Sequence, residues 1–346
     1  MARRPPARGG RSLGRGRGLA LDAGRGRRRR PGHARRGRGG ARGVITCLGL
    51  SPALDVTYGV PVLEVGGIHR PTWKLALPGG KSLNVARALH TLGAEVRAIA
   101  PLGGTVGEGM RVALEAEGVP VEVVPAREET RTCVSVVDAT DGRITEFYEC
   151  VAQPDDGAWA ALTATLEGVR EGWLAVSGSV PDTRAGALAA ALADAADRGV
   201  RLAVDLRGEA LAAVLERTRP ALVKVNRAEA AEAVGPGELE DLAASLRARG
   251  AETAIVTDGA AGSLGADAAG AWRVVAPSAG PYTVGAGDSF LAGLLTALEG
   301  GAALPEALRT ASAVAAANTL RPGAAVFEPA DIPALASRIE VTPSHA

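Results

Sequence analysis

Four short runs decide the fold: Trp173-Leu-Ala-Val-Ser177, Leu202-Ala-Val-Asp205, Leu222-Val-Lys-Val225 and Thr253-Ala-Ile-Val-Thr257. Each is β-rich and brief, and helical stretches lie between them over 185–198, 210–217 and 239–249. This alternation predicts an α/β fold with a central, mostly parallel sheet flanked by helices on both faces. The rhythm extends upstream: 44–50 and 96–101 read as strands, while 82–92 and 108–117 read as helices that stop at Gly93 and Gly118. Segments of about 53–80 and 128–150 break it with a hairpin-like pattern. In the second, 132–138 and 143–149 flank Asp141-Gly142, a turn signal. These segments are expected to form a small β-sheet lid.

Composition divides the chain unevenly. Of 346 residues with net charge +1, residues 1–43 hold fifteen arginines against one acid, Asp22, a charge of +14. The other 303 residues hold 24 basic and 37 acidic side chains, a charge of −13. The tail of Arg, Gly, Pro and Ala has little to bury and is expected to be disordered. Its composition reads as a start site set too far upstream, with an Arg/Gly nucleic-acid-binding segment and a targeting segment as competing readings. Cys47, Cys133 and Cys150 are too scattered for a disulfide framework or zinc site and read as small buried hydrophobes in a reducing compartment. With no apolar run of about 18 residues, no membrane partner is expected, and the cytoplasm is the expected location.

Ligands of doubly covered parallel sheets sit beyond the carboxyl ends of the strands. Ser177-Gly-Ser179, Asn226 with Glu229, and Thr257-Asp-Gly259 fall there. The richest stretch is Thr283-Val-Gly-Ala-Gly-Asp-Ser-Phe290, where a glycine loop runs into an apolar helix. A helix start offers unpaired N–H groups to an anion, and glycine lets a ligand approach the backbone. Asp288 beside that seat could accept a proton from a hydroxyl. The same residues also suit an ordinary helix start with a first-turn acid. Gly79-Gly-Lys-Ser-Leu-Asn-Val-Ala-Arg87 adds a glycine pair, an amide and two cations. Asp55 follows the first strand and could accept hydrogen bonds from sugar hydroxyls, or simply close a turn.

Taken together, Gly79-Gly-Lys, Ser177-Gly-Ser-Val-Pro181, Lys224-Val-Asn-Arg-Ala-Glu229 and Val284-Gly-Ala-Gly-Asp288 resemble the ribokinase-like (PfkB) carbohydrate kinases over essentially all of 44–340, here taken as one kinase domain. The resemblance implies an anion hole at Gly285, Ala286 and Gly287 with Asp288 as catalytic base. It implies ATP as phosphate donor, and magnesium organised through water by Asn226 and Glu229. Lys224, Thr257, Gly259, Gly262 and Asn318 are expected at the nucleotide. Asp55, Gly79, Gly80, Lys81, Asn84, Arg87, Arg131 and Ser177 are expected at the sugar.

Within the family the chain looks most like the hexose-phosphate branch that includes 1-phosphofructokinase and tagatose-6-phosphate kinase. Pro52-Ala-Leu-Asp55, Gly67-Ile-His-Arg70, Asn84-Val-Ala-Arg87, Glu129-Thr-Arg131 and Thr145-Glu146 carry that likeness. A substrate that already bears a phosphate calls for fixed cations, and Lys81, Arg87 and Arg131 are the candidates. Fructose 1-phosphate is the first expected substrate. Tagatose 6-phosphate, fructose 6-phosphate, a free sugar or a nucleoside are alternatives, and nucleic-acid binding through the tail is the alternative from another class. Val44 falls where the family's initiator Met usually stands. Ser82 in place of Gly, Val225 in place of Pro, and Asp182, Asp258 and Cys150-Val151 depart from the pattern and leave the sugar's identity open. Lid-mediated dimers occur in the family, so any homodimer is expected to form through the lid.

Overall fold

The computed structural model describes residues 43–151, 154–276 and 279–344. The expected tail, Gly43 apart, lies outside the described residues. Strands follow the order β1 (Ile45–Gly49), β2 (Ala53–Val60), β3 (Trp73–Gly79), β4 (Val96–Leu102), β5 (Val121–Pro125), β6 (Arg131–Asp138), β7 (Ile144–Tyr148), β8 (Trp173–Ser177), β9 (Arg201–Asp205), β10 (Leu222–Asn226), β11 (Ala254–Thr257), β12 (Ser263–Asp267), β13 (Gly270–Val275) and β14 (Glu340–Ser344). Helices are α1 (Lys81–Thr91), α2 (Gly104–Glu117), α3 (Asp156–Glu167), α4 (Asp182–Asp197), α5 (Gly208–Arg217), α6 (Arg227–Val234), α7 (Leu239–Ala248), α8 (Ala286–Glu299), α9 (Leu304–Asn318) and α10 (Ile332–Ala336).

The large sheet has the order β14-β13-β12-β11-β10-β9-β8-β1-β4-β5. Its seven strands from β11 to β5 are parallel, and β12, β13 and β14 extend it antiparallel. Alternating side chains serve two cores, one on each face. Ile45, Cys47, Trp173 and Ala175 join α1, α8 and α9, while Leu48, Leu174, Val176 and Val204 join α4, α5 and α7. A second sheet, β3-β2-β6-β7, falls within 53–80 and 128–150. No helix among the described residues is long and apolar enough to cross a membrane.

The periodicity announces helix 108–117, but α2 starts at Gly104. Three glycines in its first six residues weaken the helical pattern, and tertiary contact supplies what propensity does not. Cys47 and Cys133 are buried as expected, whereas Cys150 is exposed. It follows the short strand β7, which is the edge of the smaller sheet among the described residues.

Candidate active site

The site is assembled by side-chain parity on two adjacent strands. Ala203 on β9 and Leu222 on β10 both face the core beneath α1 and α8. Two residues further along each strand, Asp205 and Lys224 face the same way. Lys224 Nζ donates to Asp205 Oδ2 at 2.7 Å, and Lys81 Nζ, at the start of α1, donates to Oδ1 at 2.6 Å. Lys81 also reaches Glu229 Oε1 at 3.3 Å. Burial alone would raise the Asp205 carboxyl, but Lys224 and Lys81 overcome it and hold it below the ordinary value. Burial opposes the charge on Lys81 too, and the carboxylates of Asp205 and Glu229 keep that ammonium above its usual range.

Asp288 is the third residue of α8, and Gly285 caps that helix in a left-handed conformation with φ 75°. A Cβ at Gly285 would lie 2.5 Å from Ala324 Cβ, so both dihedral and space demand glycine. Of the first-turn amides of α8, that of Ala286 donates to the Thr283 carbonyl at 3.1 Å, while those of Gly287 and Asp288 find no carbonyl inside the helix. Because α1 packs against α8, Asn84 Nδ2 donates to Asp288 Oδ2 at 2.9 Å. Asn84 also comes within 3.5 Å of Asp55 Oδ2, and its own Oδ1 is buried without a partner. Burial, reinforced by the charge of Asp205, pushes Asp288 up to about 7. Asn84, Lys224 and Lys81 pull the other way. Burial likewise lifts Asp55 to about 6 against the Gly80 amide, Asn84, Arg87 and Arg131. Two carboxyls with raised values, joined through one amide, suit proton exchange near neutrality.

A cavity of about 600 Å³ runs along the carboxyl ends of β1, β8, β9, β10 and β11, under the inner face of the smaller sheet. Asp55, Gly80, Lys81, Asn84, Arg131, Lys224, Asn226, Glu229, Thr257, Gly285, Gly287 and Asp288 all line it. Residues as far apart in sequence as Asp55 and Asp288 thus meet in one space. Asn226 and Glu229 form a reciprocal cap on α6: Asn226 Oδ1 accepts from Glu229 N at 2.9 Å, and Glu229 Oε2 accepts from Asn226 N at 2.9 Å.

Several expected site residues lie outside the cavity lining. Arg87 is buried; its Nε donates to Glu117 Oε2 at 2.6 Å and its Nη1 to the Ala324 carbonyl at 2.9 Å. It braces the loop that packs against Gly285 and does not line the cavity. Asn318 is fully buried: its Oδ1 accepts from Ala325 N at 2.8 Å and its Nδ2 donates to the Val284 carbonyl at 2.8 Å, holding the glycine loop from behind. Gly79 supports Asp55, since a Cβ there would fall 2.0 Å from Asp55 Oδ2. Ser177 N donates to Ser82 Oγ, and Gly178 and Ser179 line the cavity in its place. Ser82, the departure from glycine, donates to the Leu48 and Ser177 carbonyls and ties β1 to β8. Gly259 and Gly262 shape the turn after β11, and Ala286 opens α8. Asp205 escapes the motif reading altogether. Its one signal is a carboxylate at the carboxyl end of a predicted parallel strand.

The pattern of the pfkB family carbohydrate kinase matches residues 67–331. The chain belongs to this family. It is an ATP-dependent carbohydrate kinase with a ribokinase-like fold. It is 33% identical over 288 residues to the ATP-dependent 6-phosphofructokinase isozyme 2 of Escherichia coli, covering 81% of this chain and 93% of that one. The isozyme 2 of Mycobacterium tuberculosis is 31% identical over 307 residues, covering 83% of this chain and 87% of that one. The crystal structure of the Escherichia coli phosphofructokinase-2 in complex with substrates and products superposes with a TM-score of 0.80 at 32% identity, covering 85% of this chain and 98% of that one.

Proposed function

We propose that this kinase transfers the γ-phosphoryl group of ATP to a primary hydroxyl of a fructose monophosphate, forming fructose 1,6-bisphosphate. Asp288, facing the cavity beside the first turn of α8 and held by Asn84, carries this reading. The sugar hydroxyl oxygen attacks the γ-phosphorus, its proton passes to the Asp288 carboxylate, and the bond to the β-phosphate oxygen breaks to release ADP. A positioned base contributes about 10²–10⁴-fold, and amides aimed at the transferring group contribute a comparable electrostatic share.

Fructose 6-phosphate now ranks ahead of the fructose 1-phosphate expected from the branch likeness, because the relatives at 31–33% identity are named 6-phosphofructokinases. Both substrates carry a phosphate on one primary carbon and a free hydroxyl on the other, and both give the same product. A pocket with a cation at one end and a base at the other accepts either orientation of that frame. Arg131 is the cation: among the described residues its Nη groups reach only the Glu149 and Ser51 carbonyls, and its Nε is buried without a partner. The unpartnered Oδ1 of Asn84 and the carboxyl of Asp55 are the acceptors for sugar hydroxyls.

Magnesium fits this site only as a guest of the nucleotide. Among the described residues no group of three or more His, Cys, Asp or Glu side chains gathers where it could hold a metal. Asn226 and Glu229 already satisfy each other in the α6 cap, so they suit water-mediated contact, the mode a hydrated magnesium ion favours. When bound, the ion would neutralise phosphate charge.

The smaller sheet is the proposed lid. Its closure would exclude water from the transferring group, and its exposed Phe147, on the face turned away from the cavity, marks the proposed surface for a homodimer. Equilibrium sedimentation of wild type and Phe147→Ser tests the dimer, and a wild-type monomer refutes it. The cytoplasm remains the proposed location. For the reaction, ADP release is measured with ATP, magnesium and a panel of sugars. The expected result is the highest kcat/KM on fructose 6-phosphate. A higher value on fructose 1-phosphate reverses the preference, and a higher value on an unphosphorylated sugar or nucleoside overturns the sugar-phosphate reading.

A further inference from the structure

Four carboxylates and four cations line the cavity: Asp55, Asp205, Glu229 and Asp288 against Lys81, Arg131, Arg207 and Lys224. Both lysines are already engaged, Lys224 with Asp205, and Lys81 with Asp205 and Glu229. The cavity therefore offers a triphosphate and a sugar phosphate less positive charge than a count of its lysines suggests. Among the described residues, the lining cations without a carboxylate partner are Arg131 and Arg207.

These two arginines stand at different places along the site. Arg131 belongs to the smaller sheet and reaches toward Ser51, beyond β1. Arg207 lies two residues past the end of β9. In the large sheet β9 neighbours β10, and β10 and β11 end in Asn226 and Thr257, whereas β1 lies beyond β8 on the other side. Arg207 is exposed, precedes the first residue of α5, and its side chain makes no capping hydrogen bond to that helix. Neither α5 nor the core requires a guanidinium there. It stands in Leu206-Arg207-Gly208, a stretch with no motif, which is why residue patterns pass over it.

We propose that Arg207 binds the phosphate chain of the nucleotide, supplying the bidentate cation that the engaged lysines do not. The inference rests on the kinase reading above and adds a binding residue to it. Its position at β9, beside β10 and two strands away from β1, assigns it to the nucleotide rather than to the sugar phosphate.

The test uses the purified full chain, wild type, Arg207→Gln and Arg207→Lys. Calorimetric titration with magnesium and ATP, and separately with adenosine, reads phosphate recognition without turnover. Arg207→Gln is expected to weaken ATP binding roughly tenfold and leave adenosine binding unchanged, with Arg207→Lys intermediate. In turnover, the KM for ATP is expected to rise in Arg207→Gln while the KM for fructose 6-phosphate stays within about twofold. Unchanged ATP binding, equal weakening of ATP and adenosine, or a rise confined to the sugar-phosphate KM would each overturn the assignment. The kinase reading is judged separately, by wild-type ADP release on the sugar panel. A wild type that binds ATP but phosphorylates no sugar refutes that reading, while the titrations still decide Arg207.

Discussion

The two sheets of this molecule meet the same cavity with opposite degrees of constraint. Strands β1 and β8 of the large sheet are buried along their whole length, with a packed core on either face. On the smaller sheet, β7 is exposed over four of its five residues, and β3 begins with two exposed residues. Groups at the edge of the large sheet are also locked by hydrogen bonds: Asp205 by two ammoniums, Asn226 by Glu229, and the glycine loop by Asn318. The smaller sheet offers Arg131, whose polar atoms reach, among the described residues, only carbonyls at 3.3 and 3.4 Å. The difference suggests a division of labour. The rigid edge is suited to transfer, where an ångström matters, and the lightly held sheet to selecting the sugar and closing over it.

The largest effect expected within that division is at Asp288. Asp288→Asn keeps the shape and an acceptor for Asn84 but removes the base, and kcat is expected to fall by at least about 10²-fold with little change in ATP affinity. Steady-state kinetics with a nucleotide titration checks this. Near-normal turnover would mean that the rigid edge does not supply the base.

Asp205→Asn comes next. It leaves two ammoniums facing each other across a neutral amide in a buried setting. Breaking a fully buried pair costs about 3–5 kcal/mol, and because Lys81 is 39% exposed the expected loss is nearer about 2–3 kcal/mol. Urea denaturation with and without the substitution measures it. A loss below about 0.5 kcal/mol would show that the edge is not held by this network and would erase the contrast between the sheets.

A smaller effect is expected on the other side. Arg131→Ala should raise the KM for the sugar phosphate about tenfold and leave the KM for ATP within about twofold. Equal changes in both constants would break the division, because an arginine on the lightly held sheet would then serve the nucleotide as well.

How much of this was legible in the sequence depended on whether the information was local. The glycine loop and Asp288 are contiguous, and their helix start was read from eight residues. The parallel sheet was equally plain, because a βαβ unit repeats its pattern along the chain. Asp205 was not legible, since its meaning lies in Lys224, 19 residues away, and Lys81, 124 residues away. Lys81 was read as a cation for the substrate phosphate, and its partners Asp205 and Glu229 were hidden for the same reason. Arg87 stands on the motif helix but is directed at Glu117 and Ala324, a choice fixed by the packing of α1 and invisible in a one-dimensional pattern. Arg207 had no pattern at all, and only the fold brings it to the cavity.

The smallest effect sharpens the account of the rigid edge through pH. Burial lifts Asp288 from an ordinary 3.8 to about 7, so between these values the folded chain keeps a proton that the unfolded chain releases. The contribution of this group to stability is therefore greatest below about pH 4, and it is lost progressively as pH rises to 7, above which the folded protein carries a buried charge. Asparagine at this position is neutral throughout and has no such slope. Asp288→Asn is accordingly expected to melt a few degrees above wild type at pH 8, with the advantage shrinking as pH falls to 5. Other titrating groups are common to both proteins and cancel in the difference, so calorimetric melting at the two pH values isolates this one. A difference that grows toward acid would place the charge of Asp288 in a favourable setting, stabilised by Lys81 and Lys224 more than burial opposes it. In that case the base would be ionised well below neutrality, and the rise of kcat/KM with pH would be centred near 4 and not near 7.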